Sequence, residues 1–461
     1  MEMKYKKPSE DLGEIKMGDK RLDKRLKSTV EKLEESSQKS ILEASGTRHG
    51  AKAFYALLSN EKFGYEKVSE QAIKGTQERI KASGVRRILA VQDTSDINLN
   101  GHEKTEGLGY SSEKVKGVKT HNCIALTVEG TPLGLLGQSY ETREEKKSKL
   151  SKREKNKRPI EEKESNKWLE MSRRAVSATG VETVIICDRE GDFYELHSEL
   201  IGLNTPFVIR LCQDRKTLDG EKSIQQLRRT NACGETEILI PRDTRKNIPA
   251  RTATMEVACC EVAITRPKTA SAELPDSLKL NLVRITEIGE AVTKKGEIIE
   301  PVEWLLATNL PVTSDKDIME IVGYYVHRWK IEQFHKVLKS GCQVEKIQQR
   351  TYERIKPMLL IYSVIAVFIL AMTYLSRDMP DAPCDIFLEE DEWKLLYCLI
   401  NRTQTKPEKP YSLKTAVAYL GELGSFKHAP SDGDYGVKSI WQGLFKLYIA
   451  LDVADRLMGQ V

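Results

Sequence analysis

The sequence predicts a mixed α/β protein built from several structural units, and three observations carry that prediction. Its 461 residues exceed the usual size of one domain. From residue 71, helical patterns alternate with short unbroken apolar runs of the kind that buried strands show. Residues 211–300 contain short alternating runs typical of β-strands. The 39% hydrophobic and 31% charged residues exclude a wholly disordered or collagen-like chain, and the net charge of +5 permits nucleic-acid binding without indicating it.

Residues 1–70 are predicted to be helical. Apolar residues recur every three or four positions from Leu22 to Leu33, which indicates an amphipathic helix that begins near Gly18 and Asp19. Its other faces carry positive charge at Lys20, Arg21, Lys24, Arg25 and Lys27. Such a helix can lie against DNA phosphates, but a solvated face of mixed charge has the same composition.

The segment 71–210 predicts the first part of an α/β core. An apolar strand over residues 86–93 is expected to end at Asp93, and another over residues 181–188 runs into Asp188. Residues 121–128 and 132–140 predict a hairpin with its turn at Gly130. The charge-rich residues 141–167 predict a solvated or mobile loop.

The segment 211–300 predicts a β-rich insertion, and residues 304–309 predict its last strand. A helix from about 317 to 340 follows, capped by Ser314. Residues 358–375 carry no charge and just reach the length of a membrane span. Because polar side chains are spread through this run and no second span exists, we expect a fully buried helix and no membrane partner.

Residues 377–461 are predicted to be mostly helical. The amphipathic stretch from Trp441 to Met458 suits packing either on a partner chain or within the same chain. The nine cysteines are scattered and contain no C-x-x-C pair, which argues against a zinc ribbon or a disulfide framework. We therefore expect a reducing, cytoplasmic environment, which the lack of an apparent export signal also favours.

Residues 325–339 contain the most informative constellation. If they form one continuous helix, Tyr325, Arg328, Glu332 and Lys339 share one face, opposite an apolar face. That pattern alone is also typical of a surface salt-bridge stripe. The two strand-end carboxylates, Asp93 and Asp188, favour a metal site over a salt-bridge stripe. Together with Glu332 they supply three carboxylates, which can hold two hard cations for phosphoryl transfer if they meet at a sheet edge. The histidines of the same helix, His327 and His335, are not expected to be metal ligands, because hard cations prefer oxygen.

The spacing of these four residues resembles the Y-R-E-K signature of bacterial insertion-sequence transposases with a DDE catalytic triad, the insertion-sequence-four family. Residues 92–95 (QDTS) resemble the first-Asp motif of that family, and residues 188–192 (DREGD) resemble its second. The resemblance covers nearly the whole chain, from residues 18–22 (GDKRL) to the C-terminal helices.

The resemblance implies an RNase H-like catalytic core interrupted by a β-rich insertion. Helical regions for DNA binding (residues 1–70) and dimerisation (377–461) flank the core, which comprises residues 71–210 and 301–376. It implies a cut-and-paste transposase that binds transposon ends as a homodimer, cleaves them and joins the 3′-hydroxyls to target DNA. Asp93, Asp188 and Glu332 would be the catalytic residues and would bind two Mg²⁺ ions, which Mn²⁺ can replace. A bacterial, nucleoid-associated protein in the cytoplasm is implied as well.

The resemblance also assigns DNA contacts. Tyr325, Arg328, Lys339 and Arg210 would contact phosphates near the cleavage site. Cleavage in a member of this family passes through a DNA hairpin whose flipped base stacks on a tryptophan, and Trp304 occupies the matching position. Trp329 would line the pocket that receives the flipped base. Without the resemblance, a core tryptophan and a surface ion pair are the simpler interpretations of Trp304 and Arg210.

Two other functions remain open at this stage. A non-catalytic DNA-binding inhibitor or domesticated transposase derivative would keep the basic surfaces and the dimerisation helix. A metal-dependent phosphatase with Asp93 as nucleophile is less well supported, because residues 93–96 (DTSD) lack the expected D-x-D spacing.

Overall fold

The structure is a computed structural model that describes residues 4–36, 41–143, 158–240, 248, 250–289, 291–292, 298–424 and 435–458. It contains two compact units. Unit 1 comprises residues 1–88, 93–147 and 330–461, and unit 2 comprises residues 89–92 and 148–329. Most of the segment for which a solvated loop was predicted, residues 144–157, lies outside the described residues.

Unit 1 begins with five helices, as the apolar periodicity predicts. They are α1 (Pro8–Leu12), α2 (Lys20–Ser36), α3 (Ile41–Ser45), α4 (Arg48–Leu58) and α5 (Tyr65–Ser83). The apolar stripe of α2 is buried at Leu26, Val30 and Leu33. Thr47 caps α4 by accepting a hydrogen bond from the Gly50 amide at 3.0 Å.

The strands of unit 1 are β1 (Arg87–Asn98), β2 (Tyr110–Ser112), β3 (Val115–Thr127) and β4 (Pro132–Glu141). The antiparallel β3–β4 hairpin is confirmed, and its turn needs Gly130, whose φ is +94°. Strand β1 contributes residues 89–92 to unit 2 and the remainder to unit 1. The expectation that this strand ends at Asp93 is wrong, because pairing with β3 carries it on to Asn98.

Unit 2 contains β5 (Glu182–Cys187), β6 (Phe207–Arg210), β7 (Gly234–Ile240), β8 (Arg251–Thr265), β9 (Ser277–Glu287), β10 (Ala291–Val292), β11 (Ile298–Ile299) and β12 (Glu303–Thr308). Its main sheet has the order β1-β5-β6-β12-β9-β8-β7, and β10 pairs with β11. The β5–β6 pair is parallel and the pairs from β6 to β7 are antiparallel, so the sheet is mixed. The helices are α6 (Asn166–Thr179), α7 (Tyr194–Gly202), α8 (Ser223–Arg229) and α9 (Asp315–Val326).

The predicted continuous helix over residues 317–340 is wrong. Helix α9 ends at Val326, and α10 (Trp329–Lys336) begins after a turn in which the Arg328 amide donates to the Tyr325 carbonyl at 3.0 Å. A π-helical turn over Val337–Gly341 follows. Tyr325 and Arg328 therefore belong to unit 2, while Glu332 and Lys339 belong to unit 1.

The long apolar run forms α11 (Tyr352–Asp378), the one helix among the described residues that is long and apolar enough to cross a membrane. Its apolar window is 94% buried inside the protein, which confirms the predicted core helix. The remaining helices, α12 (Glu390–Asn401), α13 (Leu413–Gly424) and α14 (Val437–Met458), complete unit 1. Helices α13 and α14 pack on α11, as do α5 and β4 from the other parts of the unit.

Candidate active site

Asp93 lies where the fully buried part of β1 gives way to a half-buried part. Its side chain is 16% exposed, and Oδ1 accepts a hydrogen bond from the Thr94 amide at 2.9 Å. The second oxygen, Oδ2, lies 3.6 Å from Nδ1 of His335. The carboxylate is thus oriented by neighbours on both oxygens while it still reaches solvent.

Helix α10 supplies the other acidic residue of unit 1. Glu332 is in its first turn and half-buried, and His335 follows three residues later on the same side of the helix. Lys339 is half-buried in the π-helical turn. His335 is not expected to be a metal ligand, yet its ring lies beside Asp93. The sequence signal for this position is its i,i+3 spacing from Glu332.

In unit 2, Asp188 directly follows β5, as predicted. It caps a 3₁₀ turn over Arg189–Gly191, in which its Oδ1 accepts from the Glu190 amide at 2.9 Å. A Cβ at Gly191 would lie 2.5 Å from the Cβ of Cys187, so a glycine is required for this tight turn. The geometry leaves Asp188 at the end of the strand with its second oxygen unused by this cap.

The nearby acidic residue Asp192 has a structural role. Its side chain is fully buried, and Oδ2 accepts from the amides of Cys212 and Gln213 at 2.6 and 2.8 Å. Its Oδ1 forms an ion pair with Arg215. Because these partners satisfy both oxygens, Asp192 anchors the segment after β6 and is not a free ligand.

Three side chains near Asp188 form a cationic and aromatic cluster, Arg210, Tyr325 and Arg328. The Arg210 guanidinium donates to the Glu303 carbonyl at 3.0 Å, and burial lowers its pKa. The Tyr325 side chain is 2% exposed, and burial raises the pKa of its phenol, although Arg328 and Arg210 beside it lower that pKa in part. The Tyr325 hydroxyl is buried beside the Arg210 guanidinium, and no acceptor for its hydrogen is found among the described residues, so the hydroxyl can still donate to a ligand.

The two tryptophans differ in exposure. Trp304 on β12 is 5% exposed and packs edge-to-face on Tyr325, with ring centroids 5.3 Å apart. Trp329 is half-buried, and the Arg328 guanidinium lies 5.8 Å from its ring centroid. In this conformation Trp304 is part of the core, whereas Trp329 reaches the surface.

The predicted DNA-contact residues of α2 are exposed. Lys20, Arg21, Lys24 and Arg25 all point to solvent. Three of them, together with Lys32 and His49, line a cleft of about 420 Å³ between α2 and α4. The cleft floor is apolar at Leu33 and Phe54, so the helices are held together beneath a basic rim.

Carboxylate side chains are the residues of this site that could bind a metal ion. Asp93, Asp188 and Glu332 offer carboxylate oxygens, which suit Mg²⁺ or Mn²⁺. Within the described ranges, the structure contains no group of three or more His, Cys, Asp or Glu side chains that could hold a metal ion. Two of the three carboxylates belong to unit 1 and one to unit 2, and their convergence stays a prediction.

Comparison with known families identifies the class of this protein. Residues 8–63 match the family described as Transposase DNA-binding. Residues 139–369, half of the chain, match the family described as Transposase DDE domain, and the chain therefore belongs to the DDE transposase family. The match includes Asp188 and Glu332 and begins after Asp93.

One solved structure is similar over much of the chain. It is the cryo-EM structure of the piggyBac transposase synaptic complex with hairpin DNA, with a TM-score of 0.32 and 10% sequence identity. The similarity covers 81% of this chain and 54% of that chain. The present chain thus spans about half the length of that transposase.

Proposed function

We propose that this protein is a cut-and-paste DNA transposase of the Y-R-E-K type. It binds transposon ends, cleaves them and joins the 3′-hydroxyl ends to target DNA. The observation that carries the proposal is the cluster around Tyr325, where a buried phenol lies beside two guanidiniums and near the strand-end carboxylate of Asp188. Membership of the DDE family supports the same conclusion.

The cationic side chains bind and orient the phosphodiester. Arg328 and Arg210 offer planar donor groups that suit phosphate oxygens, and Lys339 adds a point charge. The Tyr325 hydroxyl donates to a phosphate oxygen and so gains an acceptor for its hydrogen, which has none among the described residues of the free protein. Fixing the phosphate in this way supplies the alignment that an in-line displacement needs.

Asp93, Asp188 and Glu332 would hold the divalent ions, two Mg²⁺ in the proposal. The donor chemistry fits, because carboxylate oxygens are the ligands that hard cations prefer. When bound, a pair of such ions activates the attacking oxygen and stabilises the leaving oxygen.

The two tryptophans provide a surface for a flipped base in a hairpin intermediate. Trp329 is already half-exposed, whereas Trp304 lies under Tyr325. A base that stacks on Trp304 must first displace that ring contact. The cost of unstacking a base is a few kcal/mol, so an aromatic face that recovers it is needed.

The N-terminal helices provide the binding surface for the transposon end. The exposed cations of α2 lie on one helix and can contact DNA phosphates. Sequence-independent contacts of this kind position the duplex, and base edges are read by other side chains.

A homodimer would bring two transposon ends together. The first half of α14 is buried in its own chain at Trp441, Leu444 and Leu447. The second half leaves Ile449, Val453 and Leu457 exposed at intervals of four residues, which is an apolar stripe suited to a second copy of the helix. A bacterial cytoplasmic location at the nucleoid completes the proposal.

Excision from a donor plasmid tests this function. Full-length protein is incubated with Mg²⁺ and a plasmid that carries the inverted repeats flanking the coding region, and Asp188→Asn is the control. Excision by the wild type but not by the variant supports the proposal. End binding without nicking would favour the non-catalytic DNA-binding alternative, and hydrolysis of small phosphoesters without DNA would favour the phosphatase.

A further inference from the structure

Four buried polar side chains form a cluster in the core of unit 1, next to Asp93. A protein core usually consists of apolar side chains. The four polar side chains are Asn122, Gln138, Ser363 and His335, and none is more than 7% exposed. Asn122 on β3 and Gln138 on β4 are direct cross-strand partners, while Ser363 comes from α11 and His335 from α10. Buried polar groups are retained when they form complete hydrogen-bonded networks.

The hydrogen-bond directions in this network start from Ser363. Its hydroxyl donates to the Leu359 carbonyl at 2.8 Å, so its oxygen accepts from Nε2 of Gln138 at 2.9 Å. The other end of the Gln138 amide, Oε1, accepts from the Tyr140 hydroxyl at 2.5 Å. These two contacts fix which way the Gln138 amide points.

Gln138 in turn fixes Asn122. Oδ1 of Asn122 accepts from Nε2 of Gln138 and from the Thr120 hydroxyl, the latter at 3.0 Å. The amide nitrogen of Asn122 therefore points at Nε2 of His335, which lies 2.8 Å away. Because Nε2 has to accept this hydrogen bond, the ring hydrogen of His335 is on Nδ1.

Nδ1 is the atom that lies 3.6 Å from Oδ2 of Asp93. This distance is longer than a hydrogen bond, but such contacts are often long in a free enzyme and shorten in the reactive complex. The network is therefore directional: it starts at a helix carbonyl and a tyrosine and ends with an N–H that faces a carboxylate. The same ring lies one helical turn after Glu332.

We propose that His335 is a positioning residue for Asp93, held in its Nδ1–H tautomer by Asn122 and Gln138. It fixes the rotation of the Asp93 carboxylate and, through α10, the placement of Glu332 against β1. This inference rests on the proposed function, because it assumes that Asp93 binds a divalent cation. Side chains that orient metal ligands typically change metal affinity or activity by about 10–100-fold when they are replaced.

Three substitutions of His335 separate a positioning role from a packing role. In His335→Asn the amide group occupies the place of Nδ1 and keeps a donor towards Asp93. In His335→Gln the amide reaches the place of Nε2, so it keeps the contact with Asn122 and loses the donor. His335→Leu removes both, and His102→Gln is the control, because His102 is buried in the same unit and contacts the Glu345 carbonyl instead.

The experiment measures Mn²⁺ binding to each full-length protein by electron paramagnetic resonance, together with end cleavage and thermal unfolding. We expect His335→Leu and His335→Gln to bind Mn²⁺ about tenfold or more weakly and to cleave about 10–100-fold more slowly. His335→Asn should stay within about threefold of the wild type, and excess Mn²⁺ should restore part of the cleavage by His335→Gln.

Unchanged Mn²⁺ binding in His335→Leu overturns the inference, as does an equal loss in the Asn and Gln variants. If the wild type binds Mn²⁺ but cleaves no DNA, the proposed function fails, while the order of Mn²⁺ affinities still decides the role of His335. If the wild type binds no Mn²⁺, both fail.

Discussion

The two units hold their acidic residues in different surroundings. In unit 1, Asp93 faces a histidine backed by uncharged amides and hydroxyls. In unit 2, Asp188 lies near Tyr325, which is flanked by Arg210 and Arg328. Neutral dipoles fix the direction of a carboxylate without neutralising it, whereas guanidiniums supply positive charge.

This difference indicates a division of labour. The surroundings of Asp93 suit a group that must keep its full negative charge for a cation. The surroundings of Asp188 suit a place where a phosphate with its own negative charge arrives. A carboxylate next to arginines and a carboxylate next to amides are therefore expected to respond differently when their neighbours are changed.

The largest effect is expected from the carboxylates themselves. Asp188→Asn and Glu332→Gln should each slow end cleavage by at least about 10³-fold, because several kcal/mol of charge stabilisation are lost and each 1.4 kcal/mol is a factor of about ten. End binding, measured by gel shift, should remain within a few fold. Cleavage by Asp188→Asn at the wild-type rate would remove Asp188 from the catalytic set.

The cationic neighbours come next. Arg328→Ala should slow cleavage by about 10²-fold, as expected for the loss of one fixed donor to a developing charge. Arg328→Lys should recover only part of the rate, because lysine lacks the planar donor group. Arg174→Ala, an exposed arginine on α6, is the matched control. If the Lys variant equals the wild type, charge alone suffices and the guanidinium geometry is irrelevant.

Substitutions of Trp304 should have a smaller effect on the reaction, and mainly on one step. Trp304→Phe keeps most of the packing on Tyr325 but offers a smaller stacking face, and it should slow hairpin formation about tenfold while first nicking stays within threefold. Trp304→Ala should also lower the free energy of unfolding by about 3–5 kcal/mol, since the side chain is buried. Equal slowing of nicking and hairpin formation in Trp304→Phe would assign the tryptophan to the core alone.

The last predictions concern stability, and the two units should respond to pH in opposite directions. Burial raises the pKa of Glu34 in unit 1 from 4.5 to about 8. Folded protein therefore holds a proton that the unfolded chain has released, so stability falls by about 3 kcal/mol between pH 5 and 8. Glu34→Gln should remove this loss in urea unfolding curves.

In unit 2, burial lowers the pKa of His197 from 6.5 to about 4. The unfolded chain then binds the extra proton first, so stability falls by about 2 kcal/mol as the pH drops from 7 to 5. His197→Phe should flatten this part of the curve. Parallel pH profiles for the wild type and both variants would contradict the contrast between the units.

Much of the fold follows from local sequence patterns. The amphipathic stripe of α2, the β3–β4 hairpin and the buried α11 were predicted because each depends on periodicity or turn residues within one segment. The extension of β1 beyond Asp93 and the break after Val326 depend on pairing with other segments, and no local pattern reports them. A helical wheel across that break therefore placed residues of two units on one face.

The residue types of the candidate site were predictable from the sequence. The side chains that orient those residues were less predictable. The order of acidic and basic motifs located Asp188, Arg328 and Glu332, because their spacing is itself the signal. The Asn122–Gln138–His335 network was not predictable, since it joins two strands and two helices that are far apart in the sequence. The preference of hard cations for oxygen argues against His335 as a ligand, but it does not bear on whether a histidine orients one.

Helix α11 is synthesised before some of the helices that cover its apolar surface. Its apolar surface is covered by segments from both sides of the sequence, and α13 and α14 leave the ribosome after it. Until they arrive, the nascent chain displays a stretch that resembles a membrane anchor. A product that stops before residue 413 lacks both helices, so it would expose the part of α11 that they cover and should be less soluble than a chain that contains them.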